Sequence, residues 1–215
     1  MRILLAVRGP IRPNVDKCIG NISKVAGYIK EHQVDTLYVG WAGEDNEKAI
    51  SCSFNSYMLL RDPSLDIEYY MSHLGESVNN KTKINSLRMY FQLKMICKYA
   101  QQYSHIYDYV VMTRADLDID ISNLNNWFTE GVYYYPERGR HGKQCSKNGV
   151  GMNDCFGVGP VSVFCDTWVS KKSDIEFLKY VFSVSVGSEC IPVIAREENG
   201  VNVQFKITGE QKLCR

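Results

Sequence analysis

The 215-residue sequence lacks the marks of several function classes. No two of its eight cysteines stand as Cys-x-x-Cys, which excludes a zinc ribbon or a thioredoxin-like redox motif. No apolar run nears the ~18 residues of a membrane span. The opening run stops at Arg8-Gly9, too early for the apolar core of a signal peptide. The expectation is a cytoplasmic chain with reduced, mostly buried thiols. In such a chain the sequons Asn21-Ile22-Ser23 and Asn80-Lys81-Thr82 carry no meaning. Charge of one sign is also missing: 25 Lys+Arg against 24 Asp+Glu give a net charge of +1. That excludes a sequence-independent grip on nucleic acid or anionic lipid.

Familiar catalytic motifs are absent too. There is no Gly-Lys-Ser/Thr phosphate loop, no Gly-x-Ser-x-Gly elbow and no His-Glu-x-x-His pair. Gly149-Val150-Gly151 and Gly157-Val158-Gly159 each lack the third glycine of a dinucleotide fingerprint, and the second runs into Pro160. Asp116, Asp118 and Asp120 mimic the start of an EF-hand loop. That reading fails, because Ile121 stands where glycine is needed and Trp127 where glutamate is needed. Internal repeats, low-complexity tracts and Pro/Ser-rich linkers are missing, so the expectation is one domain over 1–215.

What is present is an ordinary globular composition, 45% hydrophobic and 23% charged, with 14 tyrosines. Residues 2–8 (RILLAVR) predict a buried strand, and 14–31 a helix with apolar positions near a 3.6 spacing. Further strands are predicted at 34–40, 66–71, 107–114, 132–135, 154–158 and 201–207. Helices are predicted at 44–61, 82–102, 161–184 and 188–198. The segment 137–153, rich in Gly, Arg, Lys and Asn, reads as a mobile surface loop. Alternating strands and helices predict an α/β fold with a central, mostly parallel or mixed sheet flanked by helices.

The best candidate for chemistry is Asp116-Leu117-Asp118, directly after the predicted 107–114 strand. Ligands of open α/β sheets bind beyond the carboxyl ends of strands. On extended backbone, positions i and i+2 point the same way, so the two carboxylates are expected to converge. Such a pair repels itself unless a cation offsets it, and a divalent metal shared with substrate phosphates does so economically. The plainer alternative is that these aspartates end a strand and cap a turn. His141, in the 137–153 segment, is the histidine placed to complete a metal shell. Arg8-Gly9 ends the first strand where backbone can approach a ligand and a guanidinium can pair with a diphosphate. Asn153-Asp154 offers an acid that could face an acceptor hydroxyl.

In this order and spacing, these features resemble GT-A-type glycosyltransferases. The strand end Arg8-Gly9, the helix Leu87–Leu93, the segment Tyr107–Leu117, Asn153-Asp154-Cys155-Phe156-Gly157 and Ser188-Glu189 carry the resemblance. The pattern is similar to bacterial and large-virus glycan transferases, in particular the compact chlorovirus domain that builds the capsid-protein glycan. Arg114-Ala115-Asp116 stands where many relatives have Arg-Pro-Asp or Arg-x-Asp, and no evident C-terminal histidine supplies a metal ligand. The resemblance implies a nucleotide-binding half (about 1–120) and an acceptor half (about 121–215). It implies Mn²⁺ or Mg²⁺ held by Asp118 and Asp116, with Asp116 also serving the ribose. It implies donor contacts from Arg8, Gly9, Arg88 and Arg114, and a catalytic carboxylate at Asp154, with Glu189 as the alternative. The implied donor is a nucleoside-diphosphate sugar, UDP-linked by preference, and the implied acceptor a glycan or glycoprotein. Two other readings remain open: a nucleotidyltransferase, and a non-catalytic carbohydrate- or protein-binding module.

Overall fold

The computed structural model describes residues 1–11, 14–42, 50, 53–60, 64–76, 80–121, 123–135, 144–146, 149–150, 155–184, 190–200, 204–206 and 211–213. Strand β1 (Arg2–Arg8) is apolar between its two arginines and is covered on both faces. β2 (Gln33–Trp41) and β3 (Ser56–Leu60) extend the sheet in parallel on one side of it. β4 (Tyr109–Arg114) lies parallel to β1 on the other side. Beyond β4 the sheet changes sense. β9 (Phe156–Pro160) is antiparallel to both β4 and β6 (Val132–Tyr134), and β10 (Gln204–Lys206) runs parallel to β6. The resulting seven-stranded order is β10-β6-β9-β4-β1-β2-β3, so both predicted halves build one mixed sheet. Two small ribbons flank it: β5 (Leu117–Ile119) with β11 (Gln211–Leu213), and β7 (Gln144–Ser146) with β8 (Gly149–Val150).

Among the described residues, these helices sort to the two faces: α1 (Val15–Tyr28), α2 (Ser64–His73), α3 (Lys81–Gln102), α4 (Val161–Trp168), α5 (Asp174–Val184) and α6 (Ile191–Asn199). Side chains alternate along β1, so Ile3, Leu5 and Val7 join Cys18, Ile22 and Val25 of α1 on one face. Leu4 and Ala6 join Leu87, Tyr90, Leu93 and Ile96 of α3 on the other, with Trp168 of α4 and Ile194 of α6. Asn14 caps α1, its side chain accepting from Lys17 N at 2.9 Å, and Asn80 caps α3 in the same way at 3.2 Å. One sequon asparagine is therefore a helix cap, and the other, Asn21, is buried within α1.

Several expectations need correction. Ser56–Leu60, inside the predicted 44–61 helix, is a strand. It lies at the sheet edge and is partly exposed along its length, so no two-residue alternation marked it. Residues 66–71, predicted as a strand from their Ile and Tyr content, are helical in α2. There Tyr70 packs on Phe91 of α3 with ring centroids 4.9 Å apart, and Met71 is buried, so tertiary packing overrides propensity. The single stretch 161–184 is two helices. Asn199 Nδ2 donates to the carbonyls of Asp166 (2.9 Å) and Val169 (2.8 Å), closing α4, and Ser173 Oγ accepts from Glu176 N at 3.4 Å to open α5. The described part of the 137–153 segment forms the β7–β8 hairpin. Cys18, Cys97, Cys155 and Cys165 are buried free thiols, but Cys190 is disulfide-bonded, against the expectation of reduced cysteines.

Candidate functional site

The strand order creates a crevice. From β1 the chain passes through α1, on one face, to β2 and β3 on one side; β4, on the other side, is entered from α3 on the opposite face. The carboxyl ends of β1 and β4 thus part at a topological switch point, where open α/β sheets bind ligands. The residues there are Arg8-Gly9 and Arg114-Ala115-Asp116. The sequence had marked both from their position after predicted strands.

Backbone bonds fix the two ends together. Ala115 N donates to Arg8 O at 3.0 Å, and Arg114 N donates to Cys155 O at 3.0 Å. The Tyr38 hydroxyl donates to Gly9 O at 2.9 Å within the core. Gly9 has φ +81°, a conformation that L side chains rarely adopt, and the Arg114 side chain passes 3.9 Å from where a Cβ would stand. Arg114 then grips Asp116 with two parallel bonds, Nε to Oδ1 at 2.8 Å and Nη2 to Oδ2 at 2.6 Å.

Asp118 takes a different partner. Lys24 Nζ on α1 donates to its Oδ1 at 3.0 Å, and one turn later on α1 the Tyr28 hydroxyl donates to Asp120 at 3.2 Å. The bond to Asp118 raises the Lys24 pKa, and burial raises that of Tyr28. The expected side-by-side convergence rested on extended backbone through both aspartates. Asp116 sits instead in the turn between β4 and β5, and each carboxylate is held by its own cation.

Arg8 is only 2% exposed. By strand alternation it lies on the α3 face, near enough to Tyr133 for its charge to favour the phenolate, although burial dominates and raises that pKa. Tyr133 was not foreseen. Its ring crosses β9 at Gly157 and Gly159, and its hydroxyl accepts from Trp168 Nε1 at 2.8 Å. The alternate glycines of β9, dismissed as a failed dinucleotide motif, were its signal. Arg88 is half-buried on α3. That helix ends at Gln102 below the start of β4 and runs antiparallel to it. Fourteen residues of helix rise about 21 Å and the five steps of β4 about 17 Å, which puts Arg88 at the level of the carboxyl ends or just beyond them. Asp154, Glu189 and His141 lie outside the described residues. A shallow cleft of about 420 Å³ at the opposite edge, lined by Tyr107, Asp108, Pro160 and Asp166, holds none of these groups.

Among the described residues, no group of three or more His, Cys, Asp or Glu is placed to hold a metal. The donor set nevertheless suits a hard divalent cation shared with phosphates, which needs only one or two carboxylates. Asp118 is 44% exposed in an ion pair with an equally exposed lysine, a partner readily displaced. Asp116 is 17% exposed and already neutralised by Arg114.

No protein-family model matches the chain, and no curated protein sequence matches it. Solved structures do. The galactosyltransferase LgtC, in complex with donor and acceptor sugar analogues, matches with a TM-score of 0.54 and 12% identity over 95% of this chain and 73% of that one. An active-site variant of LgtC matches at the same TM-score and identity over 95% and 72%. Mouse xyloside xylosyltransferase 1, in its apo form, gives a TM-score of 0.49 and 9% identity over 97% and 85%. The likeness to LgtC shows that this chain has a GT-A glycosyltransferase fold.

Proposed function

We propose that this chain transfers a sugar from a nucleoside-diphosphate sugar, UDP-linked by preference, to a hydroxyl of a glycan or glycoprotein. The observation that carries the reading is the placement of Arg8-Gly9 and Arg114-Ala115-Asp116 together at the switch point between β1 and β4. The LgtC-like fold supports it.

In this reading the anomeric C–O bond breaks and its electron pair departs with the diphosphate. Arg88 and Arg114 supply positive charge to that leaving group. Gly9 lets the donor approach the backbone, and Asp116, oriented by Arg114, takes the ribose or the metal. Asp118 would hold a Mn²⁺ or Mg²⁺ ion, which when bound supplies Lewis-acid stabilisation of the departing diphosphate. Asp154 is the proposed carboxylate at the reacting carbon, with Glu189 as the alternative. In an inverting reaction it takes the acceptor's proton as the new bond forms.

Thermal shift with UDP, GDP, UDP-glucose and dTDP-sugars, each with and without Mn²⁺, tests the reading. A hundredfold excess over Kd stabilises by about 2.7 kcal/mol. A Mn²⁺-dependent shift by one nucleotide is the expected result, with free nucleoside diphosphate released on turnover. Release of pyrophosphate instead would identify a nucleotidyltransferase, and binding without turnover a binding module.

A further inference from the structure

We infer that Gln92 is a specificity-determining residue that hydrogen-bonds hydroxyl groups of the donor sugar, an inference that rests on the transferase reading above. Gln92 is 4% exposed within α3, beside the buried Met89, Leu93 and Ile96. Its amide offers two N–H donors and one carbonyl acceptor. Among the described residues it makes no hydrogen bond, although nearly every buried polar group in a native protein is paired.

Position supports the assignment. Arg88, Gln92 and Tyr99 stand at i, i+4 and i+11 and share one stripe of α3. At the lower end of that stripe the Tyr99 hydroxyl bonds with Ser56 Oγ at 3.2 Å, at the foot of β3. Gln92 lies about 10 Å further up the helix and β3 climbs about 13 Å, so Gln92 sits toward the carboxyl edge, one turn below Arg88. This is the α3 face of the sheet, opposite the α1 face that holds Asp118. A cation suits the diphosphate, and a neutral group that both donates and accepts suits the uncharged hydroxyls attached to it. A site built to bond a hydroxyl rejects analogues that lack it, because its own polar group is then left unpaired.

The test is Gln92→Leu in the full chain, with Gln92→Met as a second variant of similar volume. Unliganded melting temperature is measured, and UDP and UDP-glucose are each titrated with Mn²⁺. The expected result is a melting temperature equal to or above wild type, because a buried amide without a partner has been removed. UDP-glucose affinity falls about tenfold or more, while UDP affinity stays the same. A lower melting temperature with unchanged UDP-glucose affinity would make the amide structural and overturn the inference. An equal loss with UDP alone would assign it to the nucleotide and overturn it as well. If the wild-type chain binds no nucleoside diphosphate, the transferase reading itself fails.

Discussion

The Tyr133 hydroxyl fills the space where residue 157 would carry a side chain: a Cβ built on Gly157 would lie 1.8 Å from that oxygen and 2.6 Å from Cζ. Gly159 is crowded by the same ring at 3.1 Å. The ring is wholly buried and anchored by Trp168 Nε1, so it has no room to retreat. Gly157→Ala should therefore destabilise the fold by about 1–3 kcal/mol or more through overpacking. Tyr133→Phe in the same chain should recover only part of that loss, since the ring carbon still collides and the Trp168 N–H loses its acceptor. Chemical denaturation of the single and double variants measures both. A neutral Gly157→Ala would mean that β9 and Tyr133 are not packed as described.

Asp118→Ala separates stability from function. The Lys24–Asp118 pair is 41% and 44% exposed, and exposed pairs of this kind contribute about 0–1 kcal/mol. The variant should melt within a few degrees of wild type but lose the Mn²⁺-dependent part of any nucleotide-induced shift and of turnover. Normal Mn²⁺-dependent turnover in Asp118→Ala would remove this residue from the metal site. Lys24→Met should keep the metal response, because the lysine competes with the metal for the same oxygen.

The elements legible in the sequence were those whose burial leaves a pattern. β1 and β4 are apolar on both faces, and α1 and α3 show a helical period, so their placement and the Arg8 and Asp116 strand ends followed. Edge elements such as β3 left no such mark. α2 was hidden because Ile67, Tyr69 and Tyr70 favour strands locally, while the helix is decided by Tyr70, which packs against Phe91 and donates to the carboxylate of Asp174. The Arg114–Asp116 clasp was also out of reach, since it depends on where the β4–β5 turn lies, which the local residues do not fix. Gln92 could have been noticed as a polar residue interrupting the apolar run of α3.

Alkaline pH should unfold the protein through its buried tyrosines. Burial raises the Tyr90 pKa, and the nearby Asp174 carboxylate, which accepts from the Tyr90 hydroxyl at 2.9 Å, raises it further. Burial likewise raises Tyr133. In the unfolded chain both ionise near pH 10. The folded state then binds more protons than the unfolded state, so stability is full below about pH 10 and falls as pH rises beyond it. The loss is at most about 1.4 kcal/mol per pH unit for each tyrosine. Melting curves between pH 8 and 11 should show this slope, and Tyr90→Phe should make it shallower. An unchanged slope in that variant would place the alkaline transition elsewhere.

Cys190, fully buried at the start of α6, supplies the last prediction. It is disulfide-bonded, while Cys18, Cys97, Cys155 and Cys165 are free, which leaves Cys52, Cys145 and Cys214 as the possible partners. β7, the strand that contains Cys145, packs against α6. Burial, and then the neighbouring Cys165, raise the Cys97 thiol pKa well above the ordinary range, which suppresses its reactive thiolate. Alkylation of the native protein should therefore spare Cys97 and Cys165 as well as Cys190. Under denaturing conditions without reductant the first two become labelled, and Cys190 does not until a reductant is added. Reduction should cost about 2–4 kcal/mol of stability, the usual contribution of a native disulfide. Peptide mapping without reductant identifies the partner. Recovery of Cys190 as a free thiol from protein purified without reductant would return the chain to the all-reduced state first expected of it.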